Sequence, residues 1–239
     1  ENATNITESN CFIDDEIEQE FHVVLEELEE DDLYKLYKII DKRNYLVMTK
    51  KILKAEETTQ FKDAKNLFKE FEILHQINHP CICKTYGINL QERERDKDIT
   101  TIAIFIEFID YNLSTFLDKN ILSNSLKVKI AVEIAFGMLY LHNKGIIHRD
   151  LNIRNIKLNQ KMEAKIVNFD QVYVYESIQN ETTIEMTKKI GESVFMSPEM
   201  QNDDDEYNNK TDVYSYGVIL YKMFSGNLPN IPIRNILNK

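Results

Sequence analysis

The sequence predicts an α+β chain in two parts, strands first and helices second, with the change near residues 108–111. Three observations predict it. Between Phe21 and Leu53 the apolar residues fall in short runs separated by polar ones, the mark of strands joined by turns. From Ser125 to His142 they recur at helical spacing, and Gly145 stands just past the end as a helix stop. A length of 239 residues with 43% hydrophobic composition is enough to bury the core of two closely packed lobes.

Residues 1–20 read as an acidic, flexible segment. Strand-like runs follow at Phe21 and Val23, at Leu33, Leu36 and Ile39, and at Tyr45 and Val47. Residues 61–77 carry one helical stripe of Phe61, Ala64, Leu67, Phe68, Phe71 and Leu74, which Pro80 closes. Strands are predicted over residues 81–88 and 101–109, joined by an almost wholly charged loop at residues 91–98. A short helix begins at Leu113, and short strands are expected at residues 146–147, 156–158 and 165–167. The last strong element is a helix over residues 211–225 that Gly226 stops.

The net charge of −11 is unevenly placed, because residues 1–34 hold thirteen acidic residues and neither Lys nor Arg. The remainder is close to neutral, so nucleic-acid binding has no electrostatic support. No apolar run reaches the length of a membrane span, and membrane insertion is not expected. Cys11, Cys81 and Cys83 form no disulfide framework, which suits a reducing compartment and predicts a cytoplasmic location. His79, Cys81 and Cys83 lack the second cluster a metal site needs, and the alternation Cys81-Ile82-Cys83 reads as a buried strand. The chain opens on Glu1 rather than Met, which leads to the expectation of a segment from a longer product.

The most specific signal is His148-Arg149-Asp150-Leu151-Asn152-Ile153-Arg154-Asn155, which resembles the catalytic loop of protein kinases, H-R-D-L-x-x-x-N. Asn168-Phe169-Asp170 stands at the D-F-G place, Ser197-Pro198-Glu199 resembles A-P-E, and Asp212-Val213-Tyr214-Ser215-Tyr216-Gly217 follows in the family's order. Upstream, Glu70 sits where the family's C-helix places its Glu, and Val47-Met48-Thr49-Lys50 resembles V-A-I-K. Six matches stand in family order. Arg154 is a tyrosine-kinase feature, whereas Gly191-Glu192-Ser193-Val194-Phe195-Met196 resembles the Ser/Thr pattern, so a tyrosine-kinase-like Ser/Thr group reconciles them.

The resemblance implies a bilobal protein-kinase fold, with an N-lobe over residues 21–107 and a C-lobe over residues 108–239. It also implies that the C-lobe is cut short after the helix at 211–225, leaving Glu199 without its usual partner and that helix under-packed. ATP and Mg²⁺ are the implied cofactors, and protein partners or a protein substrate the implied ligands. By the same matches Asp150 is the base that accepts the substrate proton, and Lys50 and Glu70 form the ion pair that holds the α- and β-phosphates. Lys51 is the neighbouring alternative, because a one-residue shift swaps which Lys faces inward. Glu107 and Ile109 belong to the hinge that meets adenine, after Ile106 as gatekeeper. Asn155 and Asn168 take the Mg²⁺ positions. His148, Phe169, Leu74 and Thr85 match the stack that joins the lobes, anchored by Asp212.

Several parts depart from the pattern. Asn168 offers an amide where hard Mg²⁺ prefers a carboxylate, with Asp170 a weak substitute. Glu29, Asp31 and Tyr34 fall where the family keeps three phosphate-loop glycines, and glycine there lets backbone N–H groups reach the phosphates. Met48 stands at the small residue above adenine, Lys157 at its apolar floor, and Glu192 at an activation-segment Thr. These changes point to a pseudokinase acting as a binding or allosteric module; the alternative is a weakly active Ser/Thr kinase. Ser177, Thr182, Thr183 and Thr187 are candidate phosphosites.

Overall fold

The computed structural model describes residues 12–13, 15–30, 33–53, 61–92, 99–174, 194–201 and 208–229. The charged tip at residues 93–98, Asp31 of the phosphate loop, Glu192 and the four candidate phosphosites lie outside the described residues. The chain divides into two compact units, Glu1–Asn78 with Cys83–Phe108, and His79–Ile82 with Ile109–Lys239.

The first unit is a five-stranded antiparallel sheet with one long helix. In chain order it contains α1 (Asp15–Phe21), β1 (His22–Glu30), β2 (Tyr34–Asp41), β3 (Leu46–Leu53), α2 (Phe61–His75), β4 (Thr85–Glu92) and β5 (Ile99–Glu107). The strands lie in the order β1-β2-β3-β5-β4. Successive strand residues point to opposite faces, which gives the sheet an inner face toward α2 and an outer face. On the outer face Ile39, Met48 and Phe105 form a buried cluster, with Ile13, Tyr37, Leu46 and Tyr86 packed on it. Helix α2 buries Leu67, Phe71 and Leu74, the stripe its spacing predicts.

Residues 12–21 are not a loose tail. Ile13 N donates to Ile88 O at 2.7 Å, Phe12 bridges Ile88 in parallel, and α1 leads directly into β1. The acidic composition pointed to a solvated segment, but Ile13 has an apolar cluster to enter and the sheet edge offers free backbone groups. Strand β4 starts at Thr85 rather than at Cys81, because residues 79–82 belong to the second unit. There Ile166 N donates to Cys81 O at 2.9 Å.

The second unit contains β6 (Tyr111–Asn112), α3 (Leu113–Lys119), α4 (Asn124–Asn143), β7 (Ile146–Ile147), a 3₁₀ turn (Ile153–Asn155), β8 (Ile156–Leu158), β9 (Ala164–Ile166), β10 (Tyr173–Val174), α5 (Pro198–Gln201) and α6 (Lys210–Ser225). Asn112 caps α3 by accepting from Ser114 N at 2.9 Å, and Ser123 caps α4 by accepting from Leu126 N at 3.3 Å. Gly226, at φ +79°, stops α6 in the left-handed conformation. Helix α4 packs against β9, β7 and α6, and Tyr216 of α6 donates to Ala131 O at 2.9 Å. Val213, Tyr221 and Phe224 of α6 stay about half exposed, as do Val128, Val132, Phe136 and Leu139 of α4. Glu199 makes no hydrogen bond or ion pair among the described residues.

Gly137 marks the closest approach in this packing. A Cβ there would lie 2.7 Å from Ile166 Cδ1 and 3.2 Å from Cys81 O. Gly137→Val is expected to lower stability by about 1–3 kcal/mol through overpacking, read from denaturant melts of the purified chain.

At the start of β1, the His22 ring lies 5.1 Å from that of Phe105. Burial holds His22 below its ordinary value of 6.5; nearby Asp41 opposes this and Arg43 adds to it. The neutral ring therefore contributes stability above about pH 6.5 that is lost as pH falls through the lower folded value. His22→Phe is expected to flatten the part of the stability loss seen between about pH 7 and pH 5; parallel thermal melts of both proteins measure it.

Candidate functional site

In the first unit Glu70 and Lys51 meet on the inner face of the sheet. Glu70 falls on the buried side of α2 and is 1% exposed, where an unpaired carboxylate would cost several kcal/mol, on the order of a full desolvation penalty. Lys51 meets it, with Nζ 2.7 Å from Glu70 Oε2. The pair expected from Lys50 is thus made by Lys51. Lys50 points to the outer face, where it pairs with Glu18 of α1 and lies 5.8 Å from the Phe105 ring centroid.

The same alternation corrects the reading of Met48. It is buried in the outer cluster, whereas Thr49, 2% exposed, shares the inner face with Lys51. The residue on the side of the ion pair is therefore small, and no bulky roof stands there. Tyr34 lies on the same side. It is 4% exposed, and its ring centroid lies 4.3 Å from Lys51 Nζ, a cation–π contact.

Ile106 is buried opposite Thr49. Glu107 N donates to Lys84 O at 2.8 Å, and its carboxylate accepts from Lys84 N at 3.2 Å. Thr85 donates to Phe105 O at 3.2 Å, and Leu74 is buried at the end of α2.

In the second unit Asp212 is the centre. It is 1% exposed and accepts from His148 N and Arg149 N, both at 2.9 Å, and lies 2.8 Å from His142 Nε2. These bonds hold the loop in an unusual shape, with Arg149 at φ +68°; farther along the chain Asn168 stands at φ +67°. Asn tolerates that left-handed region readily; Arg does so at a cost of about 1–2 kcal/mol. The His148 ring meets the Phe169 ring edge-on at 5.2 Å, and His148 Nε2 lies 3.2 Å from Val167 O.

Asp150 is gripped by two amides. Asn155 Nδ2 donates to its Oδ2 at 2.7 Å, and Asn152 Nδ2 donates to its Oδ1 at 3.0 Å. Burial pushes the Asp150 carboxyl above its ordinary value; His148 and the two amides pull it back, and Asp170 pushes it further up. Among the described residues Asp170 Oδ1 is buried with no hydrogen-bond partner. Ile109 is buried in this unit, and Lys157 is half-buried on β8, opposite Asn112 and Lys165.

The comparisons agree with this arrangement. The family described as "Protein tyrosine and serine/threonine kinase" matches residues 26–238. The chain belongs to the protein kinase superfamily. Serine/threonine-protein kinase TNNI3K of Homo sapiens is 33% identical over 220 residues, covering 87% of this chain and 25% of that protein. Dual specificity testis-specific protein kinase 2 of Homo sapiens is 29% identical over 177 residues, covering 73% of this chain and 30% of that protein. The chain thus spans less than a third of the length of these curated relatives, and they place the kinase domain in a tyrosine-kinase-like Ser/Thr group.

Motif reading did not single out Asn152, His142 or Glu18. Asn152 also accepts from Arg154 N at 2.8 Å and Asn155 N at 3.2 Å, so it caps the turn while holding Asp150. An Asn opening a short turn is the signal that could have found it. His142 and Glu18 reach partners 70 and 32 residues away, beyond any local pattern.

Asp212→Ala would leave two buried backbone N–H groups and His142 without their acceptor. A loss of about 3–5 kcal/mol is expected, with Asp212→Asn less damaging, as measured by chemical denaturation.

Proposed function

We propose that this kinase domain serves as a binding or allosteric signalling module with little or no phosphoryl transfer. The observation that carries the reading is Tyr34, buried over Lys51 at the place matched to the third phosphate-loop glycine. An ATP phosphate reaching Lys51 would have to displace that ring and exchange a cation–π contact for its own charge. Asn168 adds to it, since an amide oxygen in place of a carboxylate holds Mg²⁺ weakly. Lys51, Glu70 and Asn155 fit Mg²⁺–ATP by type, whereas Tyr34 and Asn168 do not, so no chemical step is assigned to the nucleotide. Protein partners are the proposed ligands. A cytoplasmic setting belongs to this reading because three cysteines form no disulfide framework in the sequence; no helix among the described residues is long and apolar enough to cross a membrane.

Thermal melts of the purified chain with ATP, with and without Mg²⁺, test this. No Mg²⁺-dependent shift is expected for the wild type, and Tyr34→Gly with Asn168→Asp is expected to restore one. A shift of several degrees in the wild type with ATP and Mg²⁺, absent with ATP alone, overturns the proposal.

A second reading, a weakly active Ser/Thr protein kinase, is favoured by one observation. Asp150 keeps both its amide partners and a carboxyl pushed upward by burial, as a proton acceptor requires. Autophosphorylation that Asp150→Asn abolishes would support it, and no phosphate transfer by wild type or Asn168→Asp would exclude it.

A further inference from the structure

Strand β3 carries two adjacent lysines on faces of nearly equal composition. Leu46, Met48, Lys50 and Ile52 share one side; Val47, Thr49, Lys51 and Leu53 share the other. A one-residue slip exchanges the faces, and so even a pattern specifies register weakly. Two slips are conceivable, and they are not equivalent. Slipping one way puts Ile52 at the place of Lys51 and leaves Glu70 buried without a cation, so Glu70 alone forbids it. Slipping the other way puts Lys50 at that place, and Glu70 would be as well paired as before. Glu70 does not oppose that second slip, whereas a group on the outer face that holds Lys50 does.

Residues 12–13 and 15–22 supply it. Ile13 lies at the β4 edge, Glu18 on the outer face beside Lys50, and Phe21 at the start of β1. Ile13 is tied to Ile88 by a 2.7 Å backbone bond and packs on the cluster of Ile39, Met48 and Phe105. Glu18 pairs with Lys50, with side chains only 14% and 17% exposed. At the far end Lys42 N donates to Phe21 O at 2.9 Å, and His22 rests against Phe105. In the second slip Glu18 would face Thr49 and lose its partner, while Ile13 would meet Val47 in place of Met48.

We propose that residues 12–22 form a strap that assigns the two lysines, with Glu18 as a positioning residue whose grip on Lys50 commits Lys51 to Glu70. The inference goes beyond the functional reading above and stands whether or not nucleotide binds. It makes the inner face dependent on a segment at the opposite side of the sheet.

The test is pulsed lysine acylation of the full chain, without nucleotide, with each lysine quantified by fragmentation mass spectrometry. In the wild type both lysines are expected to react slowly. Glu18→Lys is expected to raise the modification rate of Lys51 about tenfold or more as the strand opens locally, and adding Lys50→Glu is expected to restore its protection. Ile13→Asp with Glu18→Ala should act like Glu18→Lys, with a cooperative melt showing that the sheet survives. If Lys50 alone becomes reactive while Lys51 stays protected, or if the charge swap restores nothing, the proposal is overturned. Because no nucleotide enters the readout, that failure would leave the binding-module reading untouched, and the thermal melts with ATP would leave this one untouched.

Discussion

A carboxylate buried on the sheet-facing side of α2 constrains the whole first unit. Glu70 is almost wholly removed from water, and a charge in that position is tolerated only with a close cation. Lys51 meets it at 2.7 Å, which ties α2 to β3 on the inner face of the sheet. Thr49 then turns inward and Met48 outward, and the outer cluster of Ile39, Met48 and Phe105 closes over Ile13. The ion pair organises rather than merely stabilises, since replacing a buried pair by apolar groups is often neutral in energy.

The second unit solves a similar problem differently. Asp212 sits on α6 with its carboxylate aimed at backbone rather than at a charged side chain. Two consecutive N–H groups, of His148 and Arg149, are satisfied by it, and the chain beyond them must bend through a left-handed Arg149. That bend delivers Asp150 to the amides of Asn152 and Asn155. A polar core of this kind tolerates little partial change, because each group removed strands another.

The contrast between the two kinds of residue bears on the proposed role. Residues that hold the loop and the helix in place, among them Glu70, His148 and Asp212, are paired and buried. Tyr34 and Asn168, at the places matched to phosphate and metal contacts, are instead an aromatic ring and a neutral amide. The proposed binding role rests on this difference.

By itself the sequence determined the α+β class, the order of elements, the ends of α4 and α6, and the family, through motifs whose spacing is local. Helix stops such as Gly226 and caps such as Ser123 act within one turn, so they can be read in one dimension. Only tertiary structure decided between Lys50 and Lys51, because adjacent strand residues differ in face and not in chemistry, and the deciding partners, Glu70 and Glu18, lie far away in sequence. The place of Met48 followed the same choice. The docking of residues 12–13 and 15–21 was hidden by their acidic composition, which describes average solvation and not a single contact such as that of Ile13 with the cluster. Tyr34 was legible as a missing glycine, but its position over Lys51 depended on the faces of two strands being set first.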